Sequence, residues 1–274
     1  QAVRLLLPRG SKSQGISNSI EYAQHSALLR LHYEDGCYRL DSRFSDNPFN
    51  GELAMPEKYK VFRTERSGAI FWIFLNNPDR RNAMGNDFWS EISQVFSEAE
   101  SDAESRVVIL AAEGKTFCAG LDLMSLMEEL PTLFNTDAEN RAGTQFMEVI
   151  RRYQQKTALP ETCRKPVIAA IHGHCIGGGL DLVAACDIRI ASEDAVFSLR
   201  EVAVAMIADL GSLQRLPGII GEGWTRQMAF SAENITAEKA QKIGLVNAVY
   251  PDRETLLRAA SELAGQIAAN SPLA

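Results

Sequence analysis

Runs of apolar residues, each bounded by turn residues, recur along most of the chain and predict strands alternating with helices. From 59 to 64 and from 69 to 75 two such runs flank Ser67-Gly68, which predicts a hairpin. Phe88, Trp89, Ile92, Val95 and Phe96 then fall at helical spacing, so a helix is expected from about 86 to 99 with Asn86 as its N-cap. Val107-Val108-Ile109-Leu110 predicts a strand. A short helix is expected over 122–130, ended by Pro131, and a long one from about 139 to 159. Val167 to Ile171 is wholly apolar and reads as a buried strand. Past Gly177-Gly178-Gly179, Leu180-Asp181-Leu182-Val183-Ala184-Ala185 reads as a core helix. Short strands are expected over 188–192, 195–198 and 245–249, and helices over 223–230, 237–242 and 253–269. Strand–helix alternation implies an α/β fold with mostly parallel pairing and right-handed crossovers.

Residues 1–50 follow a different pattern. Ile20, Tyr22, Ala23, Ala27 and Leu28 suggest a helix over 16–31, preceded by a loop at 8–15. Asn47-Pro48 and Asn50-Gly51 break any regular element. The expected organisation is a helical segment over 1–45, a linker over 46–57 and the main domain over 58–274.

With 274 residues the chain is long enough for one large core. Its formal net charge of -7 supplies no general attraction for nucleic acid, and no apolar run is long enough to span a bilayer. Cys37, Cys118, Cys163, Cys175 and Cys186 contain no CxxC pair, a pattern that favours reduced thiols in an intracellular compartment. His172 and His174 lack an evident third ligand, so no metal site is expected.

The chemistry concentrates between 166 and 211. Three glycines leave backbone that a ligand can approach, and the helix after them offers first-turn N–H groups and its positive dipole end. Such a turn stabilises an oxyanion. The sequence around it does not fit GxGxxG or a phosphate-binding Walker loop, and GxSxG does not occur. Phe117-Cys118-Ala119-Gly120-Leu121-Asp122 is either an ordinary strand-to-helix connection or the source of a second donor, the Leu121 N–H. Asp181 reads equally as a helix-start acid, and Glu201 and Asp209 as exposed loop acids. A donor turn with three acids suggests proton transfer next to a carbonyl.

The combination of these stretches is more specific than any one of them. Over 59–274 the chain resembles the enoyl-CoA hydratase/isomerase (crotonase) superfamily. The resemblance lies in Leu75-Asn76-Asn77-Pro78, Asn82-Ala83-Met84, 117–122, 165–173, Ile176-Gly177-Gly178-Gly179, Cys186-Asp187-Ile188-Arg189, Gln214-Arg215-Leu216-Pro217 and 240–246. It implies a β-β-α spiral core with a helical trimerisation region, and an acyl-CoA substrate. It also implies an oxyanion hole from the N–H groups of Leu121 and Gly178, and substrate contacts from Ala119, Gly120, Asp122, Leu123, Met124 and Gly179. No separate cofactor is implied, CoA being part of the substrate, and no nucleic-acid or membrane partner. Asp181, Glu201-Val202 and Ala208-Asp209-Leu210-Gly211, with Arg152-Tyr153-Gln154, resemble the Δ3,5-Δ2,4-dienoyl-CoA isomerase branch. That branch implies Glu201 as base at C2, Asp209 as acid at C6 and Asp181 as an auxiliary acid. It further implies a homotrimer or hexamer acting in fatty-acid β-oxidation, in the mitochondrion or alternatively the peroxisome. The alternatives are an enoyl-CoA hydratase, a Δ3,Δ2-enoyl-CoA isomerase, or a non-catalytic binding protein of the same fold.

Two readings compete for residues 1–45. Gln1 to Leu7 and 16–35 resemble the family's C-terminal helices, as though the order were permuted. Arg4, Arg9 and Lys12 without an acid over 1–15 instead suit a mitochondrial presequence.

Overall fold

A computed structural model describes the backbone of residues 19–24, 27–34 and 37–40, and residues 58–129 and 141–271. It divides into two compact units between Lys58 and Tyr59.

In the first unit, β1 (Ser19–Gln24), β2 (Ala27–Glu34) and β3 (Cys37–Leu40) form an antiparallel meander. This corrects the helix expected over 16–31. Ile20 and Tyr22 alternate with polar residues, as do Leu29, Leu31 and Tyr33, and period-two alternation is a strand pattern. The register pairs Ile20 with Leu31, Tyr22 with Leu29, Glu21 with Arg30, and Tyr33 with Tyr38. Asp35-Gly36 is, in sequence, a strong hairpin signal between such runs. The permuted arrangement needed a helix here and loses it. The expectations for 1–15 and for the linker over 46–57 fall outside the described residues.

The second unit opens with the expected hairpin, β4 (Phe62–Ser67) and β5 (Ile70–Leu75). The connection to β6 (Val107–Ala112) is α1 (Asn86–Ser101), capped by Gly85 rather than Asn86. Next come α2 (Leu123–Glu129), α3 (Arg141–Thr157) and α4 (Leu159–Thr162). The central strand β7 (Val167–Ile171) leads to β8 (His174–Ile176), α5 (Gly178–Ala184), β9 (Ile188–Ser192) and β10 (Val196–Ser198). The chain closes with α6 (Ser212–Ser231), β11 (Ile235–Thr236), α7 (Ala237–Lys242), β12 (Ala248–Tyr250) and α8 (Arg253–Ala268).

Two sheets result, in the orders β12-β9-β7-β6-β5-β4 and β11-β10-β8. The large sheet is parallel except for the β4–β5 hairpin. Both its faces are covered, which is why β5, β6 and β7 read as continuous apolar runs. One face, with Phe71, Ile73, Val108, Leu110 and Ala169, packs toward α1 and α5. The other, with Trp72, Ile109, Ile168 and Ile190, is covered by α8 through Leu256, Ala260, Ala264 and Ala268, a stripe at i+4 spacing.

The small sheet holds the glycine turn. β8, absent from the sequence expectation, pairs parallel with β10, and Cys175 also bridges to Cys118. The Cys118 N–H donates to the His174 carbonyl at 2.9 Å, and the Ile176 N–H to the Cys118 carbonyl at 3.0 Å. The 117–122 segment is thereby held against the start of α5.

Candidate active site

Gly177 turns the chain from β8 into α5 with φ 52° and ψ -121°, a conformation reserved for residues without a Cβ. Gly178 follows as the first residue of α5, where N–H groups have no partner within the helix. The Leu121 nitrogen lies 3.6 Å from the position a Cβ on Gly178 would occupy. A Cβ on Gly120 (φ +94°) would lie 3.6 Å from the Gly178 nitrogen and 2.9 Å from the Ile176 carbonyl oxygen. Two peptide N–H groups from separate loops therefore sit side by side, and glycines keep the space between them clear.

These groups border a cavity of about 180 Å³, lined among others by Ala119, Gly120, Leu121, Leu123, Gly178, Glu201 and Asp209. Val204, Met206, Ile207 and Leu210 give it apolar walls. The two loop acids of the sequence thus meet in one apolar space with the two N–H groups. Glu201 begins a 3-10 turn, Glu201–Val204, and its Oε1 lies 2.9 Å from where a Cβ on Gly177 would stand. Its Oε2 is buried with no hydrogen-bond partner among the described residues.

Asp181 is not part of the cavity wall. It is 1% exposed, and its Oδ1 accepts from the backbone N–H of Ser212 at 2.6 Å. Asp181 thereby caps α6 from α5 and fixes the Asp209–Gly211 turn that precedes it. The other expected contact residues have local roles in the fold. Asp122 Oδ1 accepts from the N–H groups of Met124 and Ser125, as an N-cap of α2, while its Oδ2 pairs with Arg80 at 2.8 Å. Met124 lines a surface cleft with Arg80 and Arg81 that adjoins the cavity through Ala119, Leu121 and Leu123. Gly179 packs on Cys118, whose Cβ would be 2.8 Å from an added Cβ.

Burial pushes the Glu201 carboxyl up to about 7, and the negative Asp181 adds to the rise. Burial likewise pushes Asp181 up to about 6, against the Ser212 hydrogen bonds, which lower it. Asp209 is also raised by burial. Three carboxyls with elevated affinity for protons in one neighbourhood suit proton transfer near neutral pH.

A raised carboxyl makes the fold more stable when that carboxyl is protonated. Glu201 contributes this stability below its ordinary value of 4.5 and loses it as pH rises through about 7. Glu201→Gln is therefore expected to stabilise the protein by about 2–3 kcal/mol at pH 8 and by little at pH 4.5. Urea midpoints at the two pH values, with an unchanged slope, check this. A loss of stability at pH 8 would contradict the burial argument.

Sequence reasoning missed the residues that hold the site from behind. Asn82 (φ 54°) donates from Nδ2 to the carbonyls of Glu113 at 2.9 Å and Thr116 at 2.7 Å. Cys118 Sγ donates to the Asn82 carbonyl at 3.1 Å and lies 3.4 Å from the Gly120 nitrogen. The only signal for them was membership in the resembling stretches. Among the described residues there is no cluster of three or more His, Cys, Asp or Glu arranged to hold a metal ion.

A family model described as Enoyl-CoA hydratase/isomerase matches residues 65–274. The human protein named mitochondrial Delta(3,5)-Delta(2,4)-dienoyl-CoA isomerase is 43% identical over 223 residues, covering 81% of this chain and 68% of the relative. The peroxisomal protein of that name from Arabidopsis thaliana is 39% identical over 221 residues, 80% of each chain. A crystal structure of a protein named enoyl-CoA hydratase, from Bacillus anthracis, superposes with a TM-score of 0.69 at 32% identity, covering 78% of each chain.

Proposed function

We infer that this chain, which belongs to the enoyl-CoA hydratase/isomerase family, is an isomerase that converts 3,5-dienoyl-CoA to 2,4-dienoyl-CoA in fatty-acid β-oxidation. The observation that carries this reading is the second carboxylate. Glu201 and Asp209 line one apolar cavity with the N–H groups of Leu121 and Gly178.

The reaction moves one proton from C2 to C6. With the thioester oxygen between the two N–H groups, the Glu201 carboxylate takes the C2 proton. The C–H electron pair becomes the C2=C3 bond, the C3=C4 pair moves to C4=C5, and the C5=C6 pair takes a proton from Asp209 at C6. Charge on the extended dienolate collects at the thioester oxygen, where preorganised donors contribute on the order of 3 kcal/mol each. Glu201 ends protonated and Asp209 ionised, and proton exchange with solvent restores both. The apolar wall of Met206, Ile207 and Leu210 keeps the Asp209 carboxyl in its proton-donating form more than water would.

An enoyl-CoA hydratase is the second reading, favoured by the likeness to the Bacillus anthracis protein of that name. Incubation with 3,5-dienoyl-CoA separates the two. The isomerase reading expects the absorbance of a 2,4-dienoyl-CoA to appear. Water addition to a 2-enoyl-CoA without that absorbance would establish the hydratase instead, and neither activity would point to a binding protein. The mitochondrion is the compartment that goes with this reading, on the name of the human relative, and the peroxisome is its alternative, on that of the Arabidopsis relative. Cell fractionation distinguishes them.

A further inference from the structure

The acid proposed to act at C6 sits on a short turn between a 3-10 turn and α6, and its place there is set by neighbours rather than by a sheet or helix. Asp209 is followed by Leu210 and by Gly211, whose φ is +129°. Arg215 occupies the side of Gly211: its Nη1 would be 1.7 Å from an added Cβ, and its Nη2 pairs with Glu161 at 2.6 Å. On the α5 side, Asp181 holds the Ser212 N–H. On the α3 side, two side chains one turn apart take consecutive carbonyls. Gln154 Nε2 donates to the Asp209 carbonyl at 2.6 Å. The Thr157 hydroxyl lies 2.8 Å from the Leu210 carbonyl, the nearest of three carbonyls around it, and Thr157 is fully buried.

The helix carrying this pair is itself anchored. Tyr153, beside Gln154 on α3, stacks on Trp89 of α1 with ring centroids 3.9 Å apart and planes 8° from parallel. Lys156 donates to the Trp89 carbonyl. The stretch of α3 that carries Gln154 and Thr157 is thereby packed against α1.

We propose that Gln154 is a positioning residue for the C6 acid: its amide donor, backed by Thr157, sets where the Asp209 carboxyl stands along the substrate. The inference rests on the proposed dienoyl isomerisation. It assigns Gln154 to one half of that reaction only. Removal of the C2 proton by Glu201 uses a different loop, Glu201–Val204, and the Gln154 amide donates to the Asp209 peptide instead. Loss of the donor should therefore impair protonation at C6 and spare the C2 step, since a displacement of about 1 Å at a reacting group costs as much as about 100-fold.

The test is Gln154→Leu, with Gln154→Met as a second variant that keeps the unbranched stem. Two rates are measured on a 3,5-dienoyl-CoA: isomerisation by absorbance, and exchange of the C2 hydrogen with D2O by mass spectrometry. The expected result is a 10- to 100-fold fall in kcat for isomerisation, KM within about twofold, and C2 exchange within about threefold of wild type. Isomerisation within twofold of wild type in both variants would overturn the proposal. So would equal falls in exchange and isomerisation, which mark a general loss of structure. A wild-type protein that does not isomerise the dienoyl substrate fails the functional reading itself, and the proposal with it.

Discussion

Asp209→Asn is expected to lower isomerisation of 3,5-dienoyl-CoA by about three to four orders of magnitude while leaving the protein folded. An asparagine fits the same space, but it has no proton to give at C6. The dienolate can then return its proton only at C2, so the C2 hydrogen should still exchange with solvent. Glu201→Gln is expected to abolish both processes, because it removes the step that forms the dienolate. The pair of variants separates the two carboxylates by role. Equal C2 exchange in the two variants would contradict the assignment.

Gly177→Ala is the second change with a large expected effect. The φ of 52° with ψ -121° is a conformation that a residue with a Cβ adopts only at a cost of about 1–3 kcal/mol. The added methyl would also stand 2.9 Å from Glu201 Oε1. Relief by moving Glu201 displaces the base. Relief by changing the turn moves the Gly178 N–H that follows it. Both routes damage catalysis, and a loss of at least about 100-fold in kcat/KM is expected. Gly218→Ala serves as the control, since nothing stands within 4 Å of its added Cβ. Steady-state kinetics of both variants check the claim, and activity in Gly177→Ala equal to that of the control would contradict it.

The parts of this site that lie on continuous sequence were legible there. The all-apolar β5, β6 and β7, the triple glycine and the Gly120-Leu121 turn carry their meaning within a few residues. Contacts that join distant positions were not. Asp181 looked like an acid at a helix start, yet its partner is the N–H of Ser212, on another helix. α6 itself was recognised only over its second half. The helix begins at Ser212, with Pro217 within it, and breaks at Gly221, whose φ is 79° and ψ 160°. A helix is expected over 16–31 where strands form because the same apolar residues can be counted at either period. The strict alternation of Leu29, Leu31 and Tyr33, followed by Asp35-Gly36, was the better guide. Gln154 and Thr157 have helical spacing, but nothing in that spacing shows that consecutive carbonyls of another segment meet them.

In the proposed reaction two carboxylates relay the proton, rather than a single base carrying it from C2 to C6. Isomerisation of 3,5-dienoyl-CoA in D2O, with the product analysed by mass spectrometry and NMR, tests this most directly. Glu201 receives the C2 hydrogen and Asp209 supplies the C6 proton after exchange with solvent, so the 2,4-dienoyl product is expected to carry deuterium at C6. A product holding the original C2 hydrogen at C6, with none from solvent, would show that one group carries the proton the whole way and would contradict the relay.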